Sequence, residues 1–150
     1  MVRILFIRNG NTSRSAMAEA IARERLKGLA EASSAGVRSG SFDDKGTIIT
    51  TLKKYYNIDA SGHTPRNVED VDLQSFDIVI AMSSNIRHHV KPLKPRQLYT
   101  WNIHDPIWKG PDIYRKCAKT IENKIEHLAR DLKKEVEASL NRPTSYHNII

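Results

Sequence analysis

Short apolar runs alternate along the chain with stretches of helical periodicity. Residues 2 to 7 carry apolar and β-branched side chains on both faces, which is typical of a parallel strand buried on both sides. Residues 76 to 82 form the clearest interior strand, and residues 32 to 36 and 97 to 101 are shorter strand candidates. Four strands are therefore predicted, separated by segments with a different period.

The segments between and after these strands predict helices. One begins near Ser15, a second spans residues 44 to 56, and a short third follows Ser83 or Ser84, either of which suits an N-cap. The last helix carries a stripe of residues spaced three and four apart, namely Ile113, Cys117, Ile121, Ile125, Leu128, Leu132 and Val136. Cys117 lies on this stripe, so we interpret it as a small core residue rather than a reactive thiol.

The order of these elements predicts the fold class. Strands that alternate with helices favour an α/β fold, a parallel sheet with helices on both faces, of the Rossmann-like kind. We expect one domain over residues 1–140 and a loosely ordered tail over residues 141–150. In such folds the working site lies at the carboxyl ends of the strands, which directs attention to the loop after the first strand.

Composition narrows the class of protein. Hydrophobic residues make up 39% and charged residues 27%, as in ordinary globular domains. One cysteine excludes an internal disulfide. The apolar run before Arg8 is too short for a signal peptide, and no stretch approaches the roughly 20 apolar residues of a membrane span. We expect a soluble, cytoplasmic protein with no membrane partner.

The net charge of +7 indicates an anionic partner or serves solubility alone. The lysines and arginines are spread along the chain, and no basic tail accompanies them. Nucleic acid is therefore a possible partner but not the favoured one.

The loop after the first strand has the composition of an anion-binding site. Residues 8 to 15 read Arg8, Asn9, Gly10, Asn11, Thr12, Ser13, Arg14 and Ser15. Small and polar residues here allow successive backbone N–H groups to point at an anion, and the following helix adds its positive end. Arg14 offers a planar fork for two phosphate oxygens. The alternative interpretation is a polar turn with an exposed arginine.

Several motifs in order resemble the low-molecular-weight protein tyrosine phosphatase family. Residues 4 to 19 are similar to its signature, Cys-x-Gly-Asn-x-Cys-Arg-Ser-Pro-Met-Ala-Glu, and further similarity follows at residues 34–36, 57–63 and 76–82. Asp105-Pro106 stands where the family keeps its general-acid loop. The resemblance covers roughly residues 2 to 135 and implies a four-stranded parallel sheet.

For function, the resemblance implies phosphate-monoester hydrolysis in two covalent steps. A cysteine of low pKa attacks phosphorus, loop amides and an arginine hold the equatorial oxygens, and an aspartate protonates the leaving oxygen. Gly10, Asn11, Arg14 and Ser15 match the loop, and Asp105 matches the acid. Trp108, next to the acid loop, is a candidate wall for the substrate.

The departures from the family pattern lie at the centre of that mechanism. Arg8 replaces the nucleophilic cysteine, Ser13 replaces the second cysteine of the loop, and Ala16 stands where proline is usual. Ser83 stands where the family usually has an aspartate after the Ala-Met motif. Ile107-Trp108 stands where the family has a Tyr-Tyr pair after Asp-Pro. A guanidinium is always protonated and is not a nucleophile, so no phosphocysteine can form at position 8.

The sequence therefore predicts a pseudophosphatase that binds a phosphorylated protein or a small phosphate-bearing ligand. Arg8 either turns outward or reaches across the loop and holds the phosphate. The alternatives are an enzyme with other chemistry, using an Arg8/Arg14 clamp and Asp105 as acid or base, and a residual low phosphatase activity. No cofactor and no metal is expected, because His88, His89 and His104 lack a metal-ligand pattern.

Overall fold

The computed structural model describes residues 1–8, 14–37, 45–63, 66–103 and 110–141. Within these ranges the chain forms a parallel sheet with the strand order β2-β1-β3-β4. The strands are β1 (Val2–Arg8), β2 (Ala30–Gly36), β3 (Ile78–Ala81) and β4 (Leu98–Thr100). The fold class predicted from the alternation of strands and helices is confirmed.

Four α-helices connect and follow the strands in the described part of the chain. They are α1 (Arg14–Arg25), α2 (Lys45–Tyr56), α3 (Ser84–Val90) and α4 (Pro111–Asn141). Single turns of 3₁₀-helix occupy Val68–Asp70, Leu73–Ser75 and Lys91–Leu93. Ser83 is the N-cap of α3, and its hydroxyl accepts a hydrogen bond from the Ile86 amide at 3.2 Å.

β1 lies in the middle of the sheet because its side chains are apolar on both faces. Ile4 and Phe6 pack into a core formed with α1, α2 and α4, whereas Leu5 and Ile7 pack into a second core formed with α3 and the 3₁₀ turns before β3. Phe6 also meets Trp101, with ring centroids 5.5 Å apart. The sheet is therefore covered on both faces, as a parallel sheet requires.

α4 carries the predicted apolar stripe against the first of these cores. Cys117, Ile121, Ile125 and Leu132 are buried there, and α4 packs against both α1 and α2. Cys117 is 6% exposed, which confirms its assignment to the core. Val136 is 50% exposed, so the stripe leaves the core before the helix ends at Asn141.

Two strands begin two residues away from the position that the sequence pattern predicts, and the other strand boundaries agree to within one residue. β3 begins at Ile78 rather than at residue 76. Phe76 instead closes a 3₁₀ turn, because its amide donates to the carbonyl oxygen of Leu73 at 3.2 Å. β2 begins at Ala30, two residues earlier than expected, because Val2 pairs with Ala30 at the start of the sheet. The tail predicted to be loosely ordered lies, from residue 142, outside the described residues.

Within the described ranges, no helix has both the length and the apolar composition needed to span a membrane.

Candidate functional site

The carboxyl edge of the sheet brings together the ends of β1, β2 and β3. The Val37 amide donates to the carbonyl oxygen of Arg8 at 2.8 Å, and the Met82 amide donates to that of Ile7 at 3.0 Å. Gly36 pairs with Arg8 in the β1–β2 register. Arg8 is thus the last residue of the central strand, with its backbone fixed from the neighbouring strand.

The side chain of Arg8 is buried. The residue is 5% exposed, and strand alternation places it on the face that also carries Ile4 and Phe6. Of the two predicted arrangements, the one in which Arg8 turns out into solvent is therefore wrong. Since a buried guanidinium keeps its charge, this edge of the sheet has a fixed positive group inside the protein.

Arg14 supplies a second buried guanidinium at the same edge. It is the first residue of α1 and is 7% exposed. Its Nη1 donates to the carbonyl oxygen of Ile103 at 2.5 Å and to that of Met82 at 3.4 Å. These bonds tie the start of α1 to the chain after β3 and after β4. The alternative of a polar turn with an exposed arginine is wrong for this reason.

Ser15 completes the described part of the predicted loop. It is 0% exposed in the first turn of α1. The first turn of a helix presents backbone N–H groups and a partial positive charge to an anion. The helix that begins at Arg14 therefore points its positive end at the carboxyl edge of the sheet.

A largely buried hydrogen bond between Glu19 and His63 lies one turn further along α1 and was not singled out from the sequence. Glu19 accepts a hydrogen bond from His63 Nδ1 at 2.9 Å and one from Arg23 at 3.1 Å. The Glu19 and His63 side chains are 8% and 12% exposed. The pair fixes α1 to the segment that follows α2. No periodicity marks it in the sequence, although both residues fall in the motifs quoted for the family resemblance.

Arg66 connects the segment before β3 to β2 by hydrogen bonds. Its Nε and Nη2 donate to the carbonyl oxygen of Ser34 at 3.3 and 3.2 Å, and the Gly36 amide donates to the carbonyl oxygen of Arg66 at 2.8 Å. The residues around the carboxyl edge are therefore supported from α1, β2 and the segment before β3.

Several predicted site residues lie outside the described residues. They are Asn9, Gly10, Asn11, Thr12 and Ser13 of the loop, the candidate acid Asp105, the candidate wall Trp108, and His104. His88 and His89 are described, and both are exposed on α3. Within the described ranges, no group of three or more His, Cys, Asp or Glu residues is arranged to hold a metal ion.

Comparison with known proteins identifies the family. The family model of low molecular weight phosphotyrosine protein phosphatases matches residues 3–138. The chain belongs to this family. The family resemblance predicted from the motifs is thus confirmed, and Arg8, Arg14 and Ser15 all lie within the matched residues.

Individual relatives carry two kinds of name. A low molecular weight protein-tyrosine-phosphatase of Bacillus subtilis is 36% identical, over 90% of this chain and 98% of that protein. An arsenate reductase of Staphylococcus xylosus is 30% identical, over 83% of this chain and 94% of that protein. The crystal structure of a low molecular weight protein tyrosine phosphatase from T. tengcongensis superposes with a TM-score of 0.80 at 30% identity. That superposition covers 87% of this chain and 99% of the other.

Proposed function

We propose that this family member binds the phosphate group of a phosphorylated protein or of a small phosphate-bearing ligand, and that it lacks cysteine-based phosphatase activity. One observation carries the proposal: a buried arginine, Arg8, ends the central strand at the position where the family resemblance places the nucleophile. A guanidinium holds an anion but does not attack phosphorus.

The only cysteine of the chain does not replace the missing nucleophile. Cys117 lies on α4, is 6% exposed and packs in the core with Ile121 and Ala118. A catalytic thiolate needs an accessible, electropositive environment, whereas a thiol among apolar side chains is inert. Covalent hydrolysis through cysteine therefore has no participant in this chain.

Binding is supported by charge. Arg8 and Arg14 are both buried at the carboxyl edge, next to the positive end of α1. Two like unit charges repel each other, by about 3 kcal/mol where they are about 5 Å apart in a medium with an effective dielectric constant of about 20, and by less at a greater distance. A divalent phosphate oxyanion bound between Arg8 and Arg14 would offset the repulsion of their like charges, which favours occupation of the site.

The names of the relatives agree with a site that binds an oxyanion. One relative is named a protein-tyrosine-phosphatase and another an arsenate reductase, and phosphate and arsenate are both tetrahedral oxyanions. Reduction of arsenate takes two electrons, which two thiols supply when they form a disulfide. Because Cys117 is its only cysteine, this chain keeps residues that can bind an oxyanion but lacks the second thiol that an internal disulfide requires.

Calorimetric titration with inorganic phosphate tests the proposal. We expect saturable binding to the natural protein and a loss of at least tenfold in affinity for Arg14→Ala. Because Arg14 also bonds to the Ile103 and Met82 carbonyl oxygens, its removal affects folding as well. Arg14→Lys keeps one charge without the planar fork, and melting temperatures of both variants separate lost binding from lost structure. Absence of binding to the natural protein at millimolar phosphate contradicts the proposal.

A further inference from the structure

A basic cleft lies among the helices α1, α2 and α4. Its volume is about 660 Å³, which lies within the range of about 300 to 1,000 Å³ that is usual for ligand sites. The ends of α1 and α2 and the first half of α4 enclose it. Arg25, Arg115, Lys116 and Lys119 contribute cations to its wall. Asp112 and Glu122 are the carboxylates among its lining residues.

The buried carboxylate of Glu122 holds two of these cations in place. Glu122 Oε2 accepts from Arg25 Nη2 at 2.8 Å, and its Oε1 accepts from Lys119 at 3.1 Å. Burial acts to raise the pKa of Glu122, but the hydrogen bonds from Lys119 and Arg25 outweigh it and hold that pKa below its ordinary value. Burial, and then the charge of Glu122, raise the pKa of the neighbouring Tyr56 to about 12, so its hydroxyl stays protonated.

A second guanidinium is held in place by an aromatic ring. The Arg115 guanidinium lies 4.3 Å from the centroid of Tyr55, and Lys54 Nζ lies 5.3 Å from the same centroid. A cation that already rests on an aromatic face loses less conformational freedom when it binds an anion. Arg115 is therefore held in place for binding a carboxylate, and Lys116, the next residue on the exposed side of α4, adds a second positive charge beside it.

The shape and charge of the basic cleft favour a short acidic peptide over a polynucleotide. A phosphodiester backbone presents a continuous row of charges, and Asp112 and Glu122 interrupt the row of cations that would match it. An acidic peptide instead supplies separate carboxylates that pair with individual guanidinium groups. The net charge of +7 adds long-range attraction for such a partner.

The first turns of α4, with Asp112 and Arg115, form one end of the basic cleft. α4 begins at Pro111, after the segment that follows β4 at the carboxyl edge, and Arg115 is one turn, about 6 Å, further along the helix axis. We propose that the basic cleft binds acidic residues flanking the phosphorylated residue of a protein partner. This inference rests on the proposed function for the phosphate itself, and the cleft contributes the additional recognition of the flanking sequence.

Three synthetic peptides test it by fluorescence anisotropy at low salt. The first carries phosphotyrosine among four glutamates, the second carries phosphotyrosine among four glutamines, and the third carries tyrosine among four glutamates. The cleft variant is Arg115→Gln with Lys116→Gln. Its matched control is Lys133→Gln with Lys134→Gln, which removes the same charge from the exposed far end of α4.

We expect the cleft variant to weaken binding of both acidic peptides about tenfold, while the control weakens it less than twofold. Binding of the glutamine peptide should be the same in all three proteins. Equal losses in the cleft variant and the control overturn the inference, because they indicate general charge attraction. Unchanged binding of the acidic peptides to the cleft variant overturns it as well.

The peptide set also separates this inference from the proposed function. If phosphorylation adds nothing while the tyrosine-glutamate peptide still depends on Arg115 and Lys116, the cleft assignment stands and the phosphate-binding proposal fails. A single-stranded RNA of equal charge serves as the competing partner. Tighter binding of that RNA, lost in the cleft variant alone, overturns the assignment of the partner as an acidic protein.

Discussion

Glu122 on α4 and Arg25 at the end of α1 form an ion pair of 2.8 Å that ties the two helices together. Glu122 is 6% exposed, and it also accepts from Lys119 on its own helix. Loss of the carboxylate leaves its cationic partners without their acceptor, while their partial exposure lets them recover water. We expect Glu122→Ala to lower the free energy of unfolding by about 2 kcal/mol, measured by urea denaturation at pH 7.

The same ion pair predicts a dependence of stability on pH. The pKa of Glu122 in the folded protein lies below its ordinary value of 4.5, so its contribution is full above about pH 5 and is lost as the pH falls through the folded pKa. The stability difference between the natural protein and Glu122→Gln should therefore shrink between pH 5 and pH 3. A difference that stays constant over that range contradicts the assignment of a charged, ion-paired carboxylate. Glu126→Gln, on the exposed side of α4, is the matched control.

The buried pair of Glu19 and His63 predicts coupling between α1 and the segment after α2. Their side chains are 8% and 12% exposed, so removal of either takes one hydrogen bond away from a largely buried polar group on the other. We expect Glu19→Ala and His63→Ala each to cost about 2 kcal/mol, with an interaction energy of about 1 kcal/mol in the double-mutant cycle. Glu24→Ala, at an exposed position on the same helix, should change stability by less than about 0.5 kcal/mol. Strict additivity of the two substitutions would show that the pair is not coupled.

The apolar stripe of α4 predicts a contrast between its two ends. Ile121 is 0% exposed in the core, whereas Val136 is 50% exposed near the end of the helix. Ile121→Ala should cost about 2 to 5 kcal/mol through lost burial and a residual cavity. Val136→Ala should cost less than about 1 kcal/mol in the same denaturation measurement. Similar costs at the two positions contradict the placement of the core.

Much of the fold was predictable because its signals are local. The two-sided apolar run of β1 and the spacing of Cys117, Ile121 and Ile125 on α4 each fix an element by period alone. The start of β3 was predicted two residues too early because the Phe76 amide is bonded in a 3₁₀ turn, which hydrophobicity does not distinguish from a strand. The polar contacts were harder to predict from the sequence, because Glu19 and His63 are 44 positions apart and nothing in their local pattern shows that they meet.

The candidate site was predictable in part. Motif order located Arg8 and Arg14 at the carboxyl edge of the sheet, where the structure has them. Their burial was not predictable, because it depends on what packs over the edge: Arg14 bonds to the carbonyl oxygens of Met82 and Ile103, which are far away in sequence. The roles expected for Asp105 and Trp108 remain predictions.

Hydrolysis of p-nitrophenyl phosphate by the natural protein and by Arg8→Cys tests the central claim most directly. Loss of a catalytic nucleophile costs about 10⁴ to 10⁶ in turnover. We predict no turnover above background for the natural protein and measurable turnover for Arg8→Cys, with Cys117→Ser as the control that leaves both results unchanged. Turnover by the natural protein within tenfold of an active phosphatase of the family would contradict the account.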